Sequence, residues 1–396
     1  MGLFSRGTEI SPRGFDRVIT AGSLLVMAPL FLNPFVVVRE TRISPPHGVG
    51  AVEAMGFFPM AVILSLAVAA FFLAGKGPTR RRNIASATLS RILFLAILWQ
   101  AGASATKISV PAMPFARVSI GSGAWLALLG SFMIMSPCRR AAREEKLFVF
   151  FCWGFYAALA FLFFSGGMDN ISFLKEYHNR SGRFIQELAR HIALSSSAVS
   201  AGLLTGFPLG LVALRNKRLG SAIISLANTL QTIPSLALFG LLIAPLAWVA
   251  RSFPSLASIG VGGIGWAPAF LALTIYSLLP IIKNTVSGFS IIDPSIVDAG
   301  SGMGMSKKQL FLRVELPLAM PVVLAGVRIS GVQAIGNTAV AALIGAGGMG
   351  QFIFQGLGEA APDLILLGAI PTVMLAITAD WGFRKLAEIL GPGETR

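Results

Sequence analysis

What most constrains this chain is a succession of apolar runs, each near the ~20 residues that a helix needs to cross the hydrocarbon core of a bilayer. They fall at about 18–38, 55–75, 84–104, 119–137, 147–166, 192–214, 220–249, 264–283, 318–345 and 363–383. Of the 396 residues 55% are apolar and only 12% charged, a balance that excludes a soluble domain. Lipid offers the backbone no hydrogen-bond partner, so such runs close their own bonds as helices. The expected fold is an all-α integral membrane protein with about ten transmembrane helices.

The formal net charge of +15 could signal nucleic acid, but Lys and Arg stand in short runs between the apolar segments instead of on one basic domain. Membrane topology accounts for them better. With the amino terminus in the cytoplasm, most of them fall inside: Arg6, Arg13 and Arg17; Lys76 and the arginines at 80–82; Arg139, Arg140, Arg143 and Lys146. Arg215, Lys217, Arg218, Lys283, Lys307, Lys308, Arg313, Arg384, Lys385 and Arg396 follow on the same side. The smaller set outside is Arg39, Arg42, Lys107, Arg117, Lys175, Arg180, Arg183, Arg190 and Arg251. This asymmetry favours both termini inside.

Two units are expected. Residues 1–168 form an amino-terminal membrane unit of about five spans with no recognisable polar motif. Residues 169–190 carry periodic Phe173, Leu174, Tyr177, Phe184 and Leu188, as an external amphipathic connector helix would. From 191 to 396, about five spans gain Gly, Pro, Ser, Thr and Asn, residues that permit close helix approach and hydrogen bonding within a bundle.

One long segment of mixed polarity, Asp293 to Pro321, interrupts the second unit. Asp293 before Pro294 suits a helix start. Gly300, Gly302 and Gly304 interrupt that helix, and Ser306 with Gln309 forms a capping-box pattern for a second. The second helix carries Leu310, Phe311 and Val314 on one face and is expected to end before Pro317. The segment falls on the cytoplasmic side.

Other motifs are weaker. The run 345–350, GAGGMG, has the letters of a dinucleotide loop but follows an apolar span, so it reads as a tight glycine turn at the outer end of the ninth span. No GxxxxGK followed by Ser or Thr occurs, so the chain has no phosphate-cradling loop for hydrolysing ATP alone. The spans lack a central Asp or Glu, which disfavours a carboxylate relay. Scattered His47, His178 and His191, with Cys138 and Cys152, give no metal spacing. Arg91 and Arg328 lie within spans, where snorkelling toward the interface is the simplest role. The string Asn228, Gln231, Thr232, Pro234 and Ser235 either lines a substrate route or forms a kink sealed by Thr232 and Ser235. Asn284 and Asn337 pose the same choice.

The stretch Asp298-Ala299-Gly300-Ser301-Gly302-Met303-Gly304, followed by Val314-Glu315-Leu316-Pro317, resembles the EAA loop of permease subunits in binding-protein-dependent ABC importers. Gln231 to Ile243, Tyr276 to Thr285, Val314 to Arg328 and Leu343 to Leu357 look like the glycine betaine, carnitine and choline permeases of the osmoprotectant group. The five preceding spans resemble the extended permease of the YehY type. In the family pattern Asp298 stands where Glu is usual, and Gly300 replaces the second Ala.

The resemblance implies a MetI-like permease core in a bacterial inner membrane, with a cytoplasmic coupling helix formed by Asp298, Ala299, Gly300, Gly304 and Met305. Leu316 and Pro317 would pass its motion to the ninth span. The translocation path would draw on Asn228, Gln231, Thr232, Pro234, Ser235, Asn284, Arg328 and Asn337. It implies no catalytic residue, metal or cofactor on this chain, and ATP and Mg on a partner ATPase. Further partners would be a second permease subunit, identical or paralogous, an external solute-binding protein and membrane lipid, without nucleic acid. The expected cargo is glycine betaine or a related quaternary-ammonium osmoprotectant. The alternatives are an ion-coupled secondary transporter, an ABC permease for an amino acid and, less in keeping with the scattered histidines, an intramembrane enzyme.

Overall fold

The computed structural model describes residues 17–41, 44–75, 80–109, 116–142 and 146–390. The tail before Arg17, and Arg42, Lys76, Arg143 and Arg396, all counted in the charge asymmetry, lie outside the described residues. The chain divides into two compact units, Met1–Asn179 and Arg180–Arg396.

The first unit runs α1 (Arg17–Leu32), β1 (Val36–Arg39), β2 (His47–Val49), α2 (Ala51–Met55), α3 (Phe57–Gly75) and α4 (Arg80–Ile108). It continues through β3 (Arg117–Ile120), α5 (Ser122–Ala142), α6 (Lys146–Phe164) and α7 (Ser172–Asn179). Glycines set the closest helix crossing: a Cβ on Gly22 of α1 would lie 2.8 Å from the Gly130 carbonyl oxygen of α5, so the two backbones touch. The strands correct the all-α expectation. They form an antiparallel sheet in the order β2-β1-β3, with Val36 opposite both Val49 and Ile120. The β-branched Val36-Val37-Val38 run extends readily, so the first helix stops at Leu32 and the last residues of the span expected over 18–38 pair as a strand instead.

Arg91 also departs from expectation. Rather than snorkelling, it is buried, and donates to the Ala87 carbonyl at 2.7 Å and to Cys152 Sγ at 3.4 Å. An internal carbonyl on its own helix lies within reach, so the guanidinium need not find the interface. Glu176 of α7 is buried against Arg117 of β3 in an ion pair. Beside it, burial first and the Arg117 charge second push the Lys175 ammonium below its ordinary value. The expected connector over 169–190 is thus divided: Ser172–Asn179 packs on the sheet of the first unit, while Ser181 begins a long helix of the second.

The second unit runs α8 (Ser181–Arg215), α9 (Lys217–Thr232), α10 (Ser235–Ser252), α11 (Pro254–Ser258) and α12 (Trp266–Ser290). Then come α13 (Pro294–Gly302), α14 (Lys307–Leu310), a π-turn at Phe311–Glu315 and α15 (Leu316–Ala341). A 3-10 turn at Ala342–Ile344, α16 (Gly350–Gly358) and α17 (Pro362–Leu390) complete it. Its core is α12 packed against both α8 and α15, which also touch each other. Gly202, Gly206 and Gly210, one every four residues, put a bare stripe of α8 against Ser277, Ile281 and Thr285 of α12. On a neighbouring face of α12, Gly326 of α15 meets Asn284. The apolar run expected as one segment over 220–249 is two helices, because Pro234 cannot continue α9.

Among the described residues, six helices are long and apolar enough to cross a membrane: Ile84–Ile108, Ser181–Arg215, Ser235–Ser252, Trp266–Ser290, Lys307–Ile344 and Pro362–Leu390. Arg17–Leu32, Phe57–Leu73, Ser122–Met135 and Val149–Phe164 are shorter apolar helices.

Candidate coupling and translocation sites

At one end of the second unit stands the elbow between α12 and α15. Asp293 caps α13 by accepting from the Ser295 N–H at 2.9 Å, and that bond holds its carboxyl below the usual carboxylate range. Helix α13 runs through Gly300 and ends at Gly302, so only the third of the expected glycine interruptions breaks the chain. Gly304, with φ of +80°, makes the left-handed turn that a glycine accommodates without strain. The expected capping box then starts α14: Ser306 N–H donates to Gln309 Oε1 at 2.8 Å, and Gln309 N–H to Ser306 Oγ at 3.3 Å.

Gly300, the departure from the family pattern, has a packing reason. It is buried, and a Cβ there would come within 2.6 Å of Leu310 Cδ1. The missing methyl lets α13 lie directly on α14. Asp298 and Ala299 are exposed, and Ile296 and Met303, seven apart, form an exposed apolar stripe at 42% and 72% exposure. Beside the helix a cavity of about 390 Å³ is bounded by Arg215, Phe289, Val297, Asp298, Phe311 and Glu315. Stacked rings of Phe289 and Phe311, centroids 5.6 Å apart, join the foot of α12 to the π-turn.

The second short helix does not end before Pro317. From Lys307 to Ile344 the chain is one helical rod of 38 residues. Pro317 has no N–H to return to the preceding turn, and the backbone widens instead: Leu316 N–H donates to the Phe311 carbonyl, five residues back. Leu316 and Pro317 therefore lie inside the rod that joins α14 to α15.

In the middle of the unit the polar string is partly gathered. The Ile233 carbonyl, left free where the helix breaks at Pro234, accepts from the Tyr276 hydroxyl of α12, while Gln231 Nε2 donates to the Tyr276 carbonyl at 3.1 Å. The break is sealed by Tyr276, which sequence reasoning missed, rather than by Ser235; Thr232 satisfies only its own helix, donating to Thr229 at 2.7 Å. Asn228 accepts from Lys283 Nζ at 3.0 Å, and Asn284 returns to the Pro280 carbonyl at 2.8 Å. Asn337 is half-buried on α15 and Thr232 is exposed beside Pro234. Arg328 pairs with Asp380 of α17, which also holds Arg384 at 2.8 Å. Here too an arginine expected to snorkel has a partner, and its charge ties α15 to α17.

At the far end, Gly345, Gly347 and Gly348 all have positive φ and turn the chain from α15 into α16. The element directly before them is helical, not a strand, so the glycine run is a turn and not a dinucleotide loop. Two residues of α8 hold it. Glu187 accepts from Gly348 N–H at 2.7 Å, and His191 Nδ1 accepts from Met349 N–H at 3.2 Å. His191 Nε2 must then carry the proton, which it donates to the Ile335 carbonyl at 3.0 Å. Sequence reasoning missed Glu187 and left His191 among scattered histidines; their spacing of four on one helical face was the available signal, and nothing in the sequence named their backbone partners. No cluster of metal-ligating side chains occurs among the described residues.

A bundle of apolar helices with a broken helix, interior polar residues and an outward elbow is the architecture of a multi-pass membrane protein. Residues 200–388 match the model of the binding-protein-dependent transport system inner membrane component, and residues 16–174 that of the ABC transporter permease YehY, N-terminal domain. The chain belongs to the binding-protein-dependent ABC permease family. It is 39% identical over 207 residues to the carnitine transport permease protein OpuCB of Listeria monocytogenes, covering 52% of this chain and 88% of that one. It is 36% identical to the osmoprotectant import permease protein OsmW of Salmonella typhimurium, covering 57% and 98%. To the glycine betaine/carnitine/choline transport system permease protein OpuCD of Bacillus subtilis it is 37% identical, covering 57% and 92%. Among solved structures, an inward-facing MetNI methionine ABC transporter chain aligns at 20% identity and a TM-score of 0.46, over 53% of this chain and 96% of that one.

Proposed function

We propose that this chain is the permease subunit of an ATP-driven importer for glycine betaine or a related quaternary-ammonium osmoprotectant. In this reading it crosses a bacterial cytoplasmic membrane about ten times with both termini inside, the elbow facing the cytoplasm and the glycine turn facing out. ATP and Mg belong to a pair of ATPase subunits. A second permease copy or paralogue and an external solute-binding protein complete the importer. The substrate class rests on the relatives, which are permeases of carnitine, choline and glycine betaine systems.

The observation that carries the coupling reading is the elbow itself. Helix α13 presents Ile296 and Met303 outward, is seated on α14 through Gly300, and joins a rod that runs unbroken into α15. A push on α13 from an ATPase groove would reach the membrane through packed side chains and continuous helix. In this reading the path is lined by Asn228, Gln231, Thr232, Pro234, Ser235, Asn284, Arg328 and Asn337. Of these, Arg328 has the most structural appearance, given its pairing with Asp380.

Gly304→Val tests the elbow. Nothing lies within 4 Å of a Cβ there, so the fold tolerates the bulk, but φ of +80° strains a branched residue by ~1–3 kcal/mol. Uptake by the assembled importer is expected to fall about tenfold, the equivalent of ~1.4 kcal/mol, while ATPase activity persists. Unchanged uptake overturns the coupling role. Substrate class is checked separately, by identifying the ligand held by the cognate binding protein; an amino acid there would replace the osmoprotectant reading.

A further inference from the structure

A cavity of about 520 Å³ opens at the glycine-turn end of the second unit, lined by Arg190 and Ser197 of α8, by Gly265 and Trp266 at the start of α12, and by Gly345. Its walls are fixed. Gly265 N–H donates to the Ile344 carbonyl at 2.8 Å, which ties the start of α12 to the end of α15. The Trp266 indole meets Phe270 edge-on, with centroids 6.3 Å apart, and Gly260 leaves room for its Nε1, since a Cβ there would stand 2.9 Å away. Leu194 and Ala346 in its lining belong to an apolar cluster with Ala269 and Leu273.

The charges around it are unequal. Arg190 stands 3.6 Å from Glu187 Oε1, a long contact, and its side chain is 55% exposed. The other oxygen of Glu187 is committed to Gly348 N–H at 2.7 Å, and no carboxylate is among the residues lining the cavity. A compact ammonium ion with its own N–H donors would find no anionic partner, and a plain anion would gain nothing from the indole face. A zwitterion whose cation is bulky and cannot donate hydrogen bonds satisfies both groups, because its charge can lie on the ring without losing strong hydration.

We propose that this cavity is a substrate subsite of the permease, in which Trp266 takes a methylated ammonium group and Arg190 takes a carboxylate. The proposal rests on the orientation and substrate class given above and adds the residues that would receive the cargo.

The test uses the complete importer in proteoliposomes, with saturating binding protein, and compares uptake of glycine betaine with that of choline, which has the cation but no carboxylate. Arg190→Gln is expected to lower glycine betaine uptake about tenfold, as loss of a charge-assisted hydrogen bond would, and to leave choline within about twofold. Arg190→Lys, which keeps a positive charge, is expected to restore most glycine betaine uptake. Trp266→Leu is expected to lower both substrates about threefold, and Trp266→Phe to recover them. An equal fall for both substrates in Arg190→Gln, as a purely structural or binding-protein-docking role would give, overturns the subsite, and so does an unchanged ratio. If the unmutated importer carries neither compound, the substrate class falls, and this subsite with it; that failure appears before any variant is made.

Discussion

The two units use the same device for opposite ends. In each, bare glycines bring helices into backbone contact: Gly22 against Gly130 in the first, and the Gly202, Gly206 and Gly210 stripe against α12 in the second. They part in how polar groups are satisfied. The first unit satisfies its buried charges in pairings, Arg91 with the carbonyl one turn back and with Cys152, and Arg117 of β3 with Glu176. The second spends its bonds at interruptions. Tyr276 seals the break at Pro234, Glu187 and His191 hold the glycine turn, and a π-turn carries the helix across Pro317. Interruptions in a bundle are where elements can shift as units, which is why the proposal places coupling and passage in the second unit.

The largest effect should come from removing either unit. Deleting residues 1–179 is expected to leave capture of the ATPase subunits intact, whereas deleting 180–396 should abolish it; co-purification decides. Loss of capture in both deletions would break the contrast. Next in size is a pair of bulky substitutions at glycines. Gly210→Leu would force a Cβ to within 2.6 Å of Thr285 Cβ, whereas nothing lies within 4 Å of a Cβ on Gly154. The first should cost ~1–3 kcal/mol or more and lower the melting temperature in detergent, and Gly154→Leu should leave it unchanged.

A smaller effect separates sealed interruptions from plain kinks. Tyr276→Phe would leave the Ile233 carbonyl without its donor, at a cost of ~1–3 kcal/mol. Hydrogen exchange around residues 231–235 should quicken while the first unit stays protected; equal protection in variant and parent would mean that the seal is idle. The smallest concerns Asp293. The bond from Ser295 lowers its folded-state pKa, so the cap's contribution is present above the unfolded value and is lost as pH falls through the folded one. Acidification below about pH 4 should therefore loosen the start of α13, with Asp293→Asn insensitive to the same change. A probe on Ser295 that responds equally in both would remove the cap from the account.

Much of this was legible from residue order alone. Apolar runs near 20 residues placed the helices, because span length is set by bilayer thickness. The capping box at Ser306 and Gln309 and the glycine turn at 345–350 were readable too, since each is a local backbone requirement met by residues a few positions apart. The rod through Pro317 was not. Proline argues for a stop, and only the geometry of the preceding turn showed that a five-residue bond could bridge it.

The sequence by itself therefore determined a multi-span permease with an elbow, for these depend on hydrophobic length, local capping and a motif of contiguous residues. Tertiary structure alone decided that Arg91 and Arg328 have internal partners, that Tyr276 closes the break at Pro234, that Gly300 is a packing position, and that Arg190 and Trp266 share one cavity. Each of those pairings joins groups on different helices or different turns. Which carbonyl, carboxylate or ring lies within 3 Å of a side chain is set by how the helices cross, and spacing along the chain does not carry that information.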